Sequence, residues 1–81
     1  MKVTNLLNAP INYALEVLEI DAGNAARKRL ISMGIIIGDH LIKYIDSPWC
    51  PVLIKNITMG STKIAIGQHL AAKIMVSYEE N

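Results

Sequence analysis

The sequence has few aromatic residues and almost no cysteine. It contains no phenylalanine, four aromatic residues in all and a single cysteine, Cys50. One cysteine cannot form an intrachain disulfide, which excludes a small disulfide scaffold and is typical of a reducing compartment. The sequence therefore predicts a cytoplasmic protein.

Charge of one sign and long apolar runs are also missing. Eight Lys and Arg against seven Asp and Glu give a formal net charge of +1, so the sequence has no excess of positive charge for nucleic acid or anionic lipid. No uncharged run reaches the roughly 18 to 20 apolar residues of a membrane span, and the most apolar one, residues 30–38, is far shorter. No signal peptide is indicated, because Asn8 and Pro10 interrupt the short apolar segment after Lys2.

What the sequence does contain is a high share of apolar residues, 52% of 81. A chain of this length can bury one compact core and not two, so residues 1–81 are predicted to form a single domain. The high apolar share also indicates that a partner or a second copy of the chain covers part of the surface.

The first half of the chain predicts one helix with a clear stop. Asn24 is predicted to be an N-cap, and the helix is expected over residues 25–33, with Ala26, Leu30 and Met33 forming one buried stripe. Gly34 ends it in the left-handed conformation. Residues 13–20 fit the period of a strand and the face of a helix equally well, and periodicity leaves both open.

The second half of the chain predicts short strands between close turns. Gly38 and Asp39 suit a turn, Pro48 and Pro51 exclude regular strand pairing between them, and Gly60 suits a hairpin turn over residues 59–62. Strands are expected over residues 41–45, 52–57, 63–66 and 75–78, and a short helix over 67–74. About five strands and two short helices in so short a chain favour a small barrel, mainly β, because closing a sheet removes its unpaired edges.

Two blocks of residues carry a resemblance to a known family. The first is Arg29, Leu30, Met33, Gly34, Ile35 and Gly38, and the second is Ile64, Ala65, Ile66, Gly67, Ala71, Ile74 and Val76. In order and spacing they resemble FeoA, a small cytosolic component of bacterial ferrous iron uptake with an SH3-like barrel. The resemblance implies this fold, with a strand rather than a helix at residues 13–20. The chain departs from the family at its opening "LLNAP", at Trp49 and Cys50 where glycine and aspartate are common, and at Gly67 where arginine is common.

No motif predicts catalysis, a cofactor or a metal site. There is no nucleophile elbow, phosphate-binding glycine loop or paired-carboxylate motif, so an enzyme is not predicted. His40, Cys50 and His69 lie 10 to 29 positions apart and include no ligand pair at the spacing of a metal site.

The candidate partner-binding residues are Arg29, Leu30, Ile31 and Trp49. Adjacent helix residues point about 100° apart, so one of Leu30 and Ile31 is expected to remain exposed as an apolar contact. The basic triplet 27–29 spreads over about 200° and predicts a solvated face rather than one basic stripe. Trp49 between two prolines is either an interface anchor or a ring that covers the end of the barrel.

The resemblance implies a membrane ferrous iron permease with a GTPase domain as the partner. On this first hypothesis the chain docks on the permease from the cytoplasm, reaches the membrane only through it, and modulates transport without chemistry of its own. A second hypothesis is a regulatory domain similar to the SH3-like C-terminal portion of metal-responsive repressors. A third is self-association into a homo-oligomer, driven by the apolar excess.

Overall fold

A computed structural model of the chain describes residues 1–45, 47, 49–60 and 63–80. Within these residues the chain forms six strands and two helices. The strands are β1 (Lys2–Asn5), β2 (Leu15–Ile20), β3 (His40–Lys43), β4 (Val52–Asn56), β5 (Lys63–Ile66) and β6 (Ile74–Tyr78), and the helices are α1 (Asn24–Ser32) and α2 (Gln68–Ala71). Pro48, which was predicted to interrupt strand pairing, and residues 61–62 of the predicted hairpin turn lie outside the described residues.

The strands form one antiparallel sheet in the order β1-β6-β2-β3-β4-β5. This mainly β fold confirms the predicted SH3-like architecture, with six strands instead of about five. The strand that sequence reasoning missed is β1, whose residues are exposed or half-buried and so show no apolar alternation. The described strand pairs leave β1 and β5 as the two edges of the sheet.

Strand β2 explains why its sequence is ambiguous. The residues it buries are Leu15, Val17 and Ile20, at spacings of two and then three. The register with β6 shifts between Val17 and Glu19, so a β-bulge moves the alternation by one residue. The strand implied by the family resemblance is confirmed, and the bulge is the reason that a strict period of two does not describe it.

Helix α1 begins differently from the prediction. Its N-cap is Gly23, in an extended conformation and without a side-chain hydrogen bond, and Asn24 is already the first helical residue. The prediction that Asn24 caps the helix is therefore wrong. The Arg27 N–H donates to the carbonyl oxygen of Gly23 at 2.9 Å, so backbone groups alone close the first turn.

The C-terminal end of α1 confirms the predicted stop. Gly34 has a φ of +90°, and its N–H donates to the Ile31 carbonyl at 3.0 Å while the Ile35 N–H donates to the Leu30 carbonyl at 2.9 Å. These two bonds form a Schellman motif, and the side chains of Leu30 and Ile35 are both fully buried beside it. Gly38, with a φ of +94°, then turns the chain into β3.

Among the described residues, fourteen apolar residues are buried in the core, and they come from the strands, α1, α2 and the turns after β1 and α1. Three polar residues of the described chain are buried with them: Lys43, Asn56 and Ser77. The Lys43 ammonium donates to the carbonyl oxygens of Leu7 at 2.7 Å and Ala9 at 2.9 Å, which holds the turn after β1 against β3.

Helix α2 is a single turn, shorter than predicted, because β6 already begins at Ile74.

Candidate protein-docking surface

Trp49 projects from the connection between β3 and β4. Its side chain is 91% exposed, so the alternative that the ring covers the end of the barrel is wrong. The side chain of Gln68, at the start of α2, donates from Nε2 to the carbonyl oxygens of Ser47 at 3.2 Å and Cys50 at 3.0 Å. The loop is therefore held to α2 on both sides of an indole that makes no contribution to the core.

Arg29 lies on a groove between α1 and the β5–α2 corner. The groove has a volume of about 250 Å³ and is lined by Arg29, Met33, Ala65, Ile66, Gly67, His69 and Leu70. At Gly67, where the family commonly has arginine, a Cβ would meet no atom within 4 Å, so this position leaves the groove open. Gly67 is followed by Gln68, which holds the Trp49 loop, and the groove and the loop therefore adjoin through α2.

The two neighbouring helix residues have opposite environments. Leu30 is fully buried in the core, whereas Ile31 is 53% exposed. Leu30 thus packs α1 onto the sheet and does not present its side chain to a partner, which corrects its place in the candidate set. Ile31 lies about 200° around the helix from Arg29, so the two exposed residues flank the outer face of α1.

The basic triplet does not form one surface. The Arg27 guanidinium donates to the carbonyl oxygen of Ile20 at 3.0 Å and is half-buried, so it ties α1 to the end of β2. Lys28 and Arg29 are exposed.

A second exposed apolar surface was not predicted. It comprises Ile36, Ile37, Ile57 and Met59, which lie on the turns before β3 and after β4. The buried amide of Asn56 joins these turns: its Nδ2 donates to the Gly34 carbonyl at 2.6 Å and to Asp39 Oδ2 at 2.9 Å, and its Oδ1 accepts from the Met59 N–H. The signal in the sequence is the run "III" at residues 35–37, of which the fold buries only Ile35.

An open cleft of about 530 Å³ is lined by residues of β2, β3 and β6 together with Met1, residues 12–14 and Glu79. It contains Glu16 and His40, with 3.8 Å between Glu16 Oε1 and His40 Nε2. The rings of Tyr13 and Tyr78 make an edge-to-face contact there, with 5.3 Å between their centroids.

In the part of the chain that the structure describes, no three His, Cys, Asp or Glu side chains are grouped closely enough to hold a metal ion. Cys50 is exposed and has no cysteine partner.

No helix in the described residues has both the length and the apolar character needed to cross a membrane.

Comparisons with known proteins agree with one another. A family profile described as the FeoA domain matches residues 4–78. A Fe(2+) transport protein A from Methanocaldococcus jannaschii is 49% identical over 76 residues, covering 88% of each chain. The crystal structure of an iron uptake regulatory protein (FeoA) superimposes with a TM-score of 0.85 at 29% identity, covering 96% of this chain and all of that one.

The manganese regulator SloR also shares the fold. Its structure matches with a TM-score of 0.77 at 13% identity, over 94% of this chain and 34% of the regulator. At this identity the likeness shows the SH3-like fold alone.

Proposed function

This chain belongs to the FeoA family of ferrous iron transport accessory proteins, and from that premise we propose that it docks on the cytosolic GTPase region of a membrane ferrous iron permease. In this proposal the chain works in the cytoplasm and modulates transport by being bound, without catalysing a reaction itself. Its contact residues are Trp49, Arg29 and Ile31, and the buried Leu30 holds the helix that carries two of them.

The exposed indole of Trp49 is the observation that carries the proposal. Tryptophan is a frequent hot spot of protein interfaces, because its large apolar ring is desolvated on binding with few rotatable bonds to order. The ring is 91% exposed, while the loop that bears it is held by two hydrogen bonds from Gln68. A preformed loop lowers the entropy cost of docking.

The outer face of α1 supplies the rest of the contact. Arg29 and Ile31 flank this face, one with a charge and the other with an exposed apolar side chain. None of the ion pairs between described residues involves Arg29, so its guanidinium is available to an acidic group on the partner.

The test is an affinity measurement against the purified GTPase region of the permease from the same organism. Trp49→Ala is expected to weaken binding at least about tenfold, and Ile31→Ala about threefold, because each removes exposed apolar area from the contact. The matched control is Met59→Ala, which truncates a 64% exposed apolar residue on the other surface and should bind as the unmodified chain does.

All three side chains are exposed, so the variants should keep the circular dichroism spectrum and stability of the original chain. A folded original chain that shows no binding to the GTPase region would overturn the proposal. Binding that survives Trp49→Ala unchanged would remove the Trp49 loop from the interface.

A further inference from the structure

Strand β5 leaves one of its edges without a backbone partner in the described chain, where it pairs with β4 alone. The direction of each backbone group follows from the neighbouring ladder. The Tyr44 N–H donates to the Leu53 carbonyl at 2.8 Å, so Leu53 directs its backbone groups toward β3. Leu53 lies opposite Ala65. Because these directions alternate along antiparallel strands, the N–H and C=O of Ala65 point away from β4, toward the open edge.

The open edge at Ala65 borders the groove between α1 and α2. Ala65 is itself exposed and lines the groove together with the half-buried side chains of Met33 and Leu70. At about 250 Å³ the groove is smaller than the roughly 300 to 1,000 Å³ of pockets that enclose small ligands. Its size suits a side chain of a peptide whose backbone runs beside it.

The charge of the groove selects the kind of side chain. Arg29 and His69 are the ionisable residues of its lining, and no acidic residue is among them. A carboxylate at the mouth of the groove would therefore meet a guanidinium with which it can form charge-assisted hydrogen bonds. A basic side chain in the same place would be repelled.

Pairing of β5 with the β5 of a second copy fits these features less well. Such pairing would bring two copies of the basic residue Lys63 and two Arg29-lined grooves toward each other. Lys63 already lies with its Nζ 4.9 Å from the centroid of the Tyr44 ring, and a charged residue on an edge strand opposes association of identical edges.

We propose that an extended, acidic segment of the partner adds to the sheet at β5, pairing its backbone with Ala65 and placing a carboxylate side chain against Arg29. This mode of strand addition obtains affinity from main-chain hydrogen bonds and specificity from the side chain that enters the groove. The identity of the partner rests on the function proposed above, and the chemistry of the segment rests on β5 and the groove.

The sharpest test removes a single backbone donor. Cys50 is the only cysteine, so residues 1–49 and 50–81 can be joined by native chemical ligation at Cys50 with N-methylalanine at position 65. The methyl group blocks the outward N–H and leaves the ladder with β4 intact, and binding to the permease GTPase region should weaken at least about tenfold. The ligated chain with ordinary Ala65 is the control, and both must give the same circular dichroism spectrum.

A charge reversal tests the groove. Arg29→Glu should weaken binding at least about tenfold, whereas Lys2→Glu, the same reversal of charge on β1 at the opposite edge of the sheet and outside the groove lining, should stay within about threefold. Amide hydrogen exchange gives a direct readout: the Ala65 N–H should exchange at least about tenfold more slowly in the complex than in the free chain.

The two proposals fail in different ways. If the original chain binds the GTPase region, but N-methylation and Ala65 exchange show no effect, strand addition is overturned and docking stands. If it does not bind, strand addition is tested alone by NMR titration with the peptide Thr-Val-Glu-Val-Thr and its Thr-Val-Lys-Val-Thr counterpart. Amide shifts at residues 63–67 with the Glu peptide alone support it. Equal shifts with both peptides, shifts elsewhere, concentration-dependent dimerisation through β5, or no shifts overturn it.

Discussion

At the scale of single residues, Lys43 shows how this small chain holds a turn in place. Its side chain is 1% exposed, and its ammonium donates to two carbonyl groups of the turn that follows β1. Burial of a charged group is costly unless hydrogen bonds replace its hydration, and the aliphatic stem of lysine packs as an apolar side chain does. Lys43 thus fastens the turn across the end of β3.

Replacement of Lys43 should destabilise the fold. Lys43→Met keeps the apolar stem but leaves the carbonyls of Leu7 and Ala9 without this donor, so the free energy of unfolding should fall by about 2 to 4 kcal/mol. Lys55→Met, on the neighbouring strand at a half-buried position, should change it by less than about 1 kcal/mol. Urea unfolding followed by circular dichroism measures both, and equal stabilities of the two variants would contradict the role assigned to Lys43.

At the scale of secondary structure, the end of α1 determines where Arg29 and Ile31 are presented. The Schellman motif uses the backbone of Gly34 in the left-handed region and packs Ile35 back toward Leu30. A Cβ at Gly34 would meet no atom within 4 Å, so the requirement for glycine is conformational and not a matter of space.

This distinction leads to a graded prediction at position 34. Gly34→Ala should lower the free energy of unfolding by about 1 to 2 kcal/mol, because alanine is strained in the left-handed conformation. Gly34→Asn should lose about half as much, since asparagine tolerates that conformation better. Thermal or urea unfolding of both variants gives the comparison, and a loss that followed side-chain volume, with Asn worse than Ala, would indicate crowding instead.

At the scale of the whole molecule, the core and the proposed docking surface use different residues. The buried apolar residues are aliphatic, and the single tryptophan lies outside them. The fold should therefore keep its stability when the proposed docking residues are replaced. The residues that position them, Leu30 under α1 and Gln68 under the Trp49 loop, are separate from those that a partner would touch.

The fluorescence of Trp49 should report docking and not folding. Because the indole is 91% exposed, its emission maximum in the native chain should match that of the chain unfolded in urea, while circular dichroism shows the unfolding transition. Addition of the permease GTPase region should shift the emission to shorter wavelength as the ring is desolvated. A native emission already shifted to the blue would place Trp49 in an apolar environment and contradict the exposed loop.

Local signals explain most of what could be predicted about the fold. Gly34 and Gly38 mark turns by their own conformational freedom, and the alternation of Val52 and Ile54 with half-buried residues marks β4. β1 was missed because a short edge strand with exposed residues has no apolar pattern, and the Asn24 cap was misassigned because Gly23 takes the capping position through its backbone. Arg29 and Trp49 could be proposed as contact residues from the sequence. The groove beside Arg29 and the hydrogen bonds from Gln68 to the Trp49 loop could not be predicted, because they form between segments far apart in the chain.

The sequence by itself determined the family, the positions of the glycine turns, and the fact that one of Leu30 and Ile31 must stay outside the core, because each of these depends on residue type and spacing along the chain. Only the tertiary structure decided which of the two is buried, that a bulge in β2 shifts its inward face, and that the Ala65 edge borders the groove beside Arg29. These outcomes depend on contacts between segments far apart in the chain, and periodicity within one segment carries no information about what packs against it.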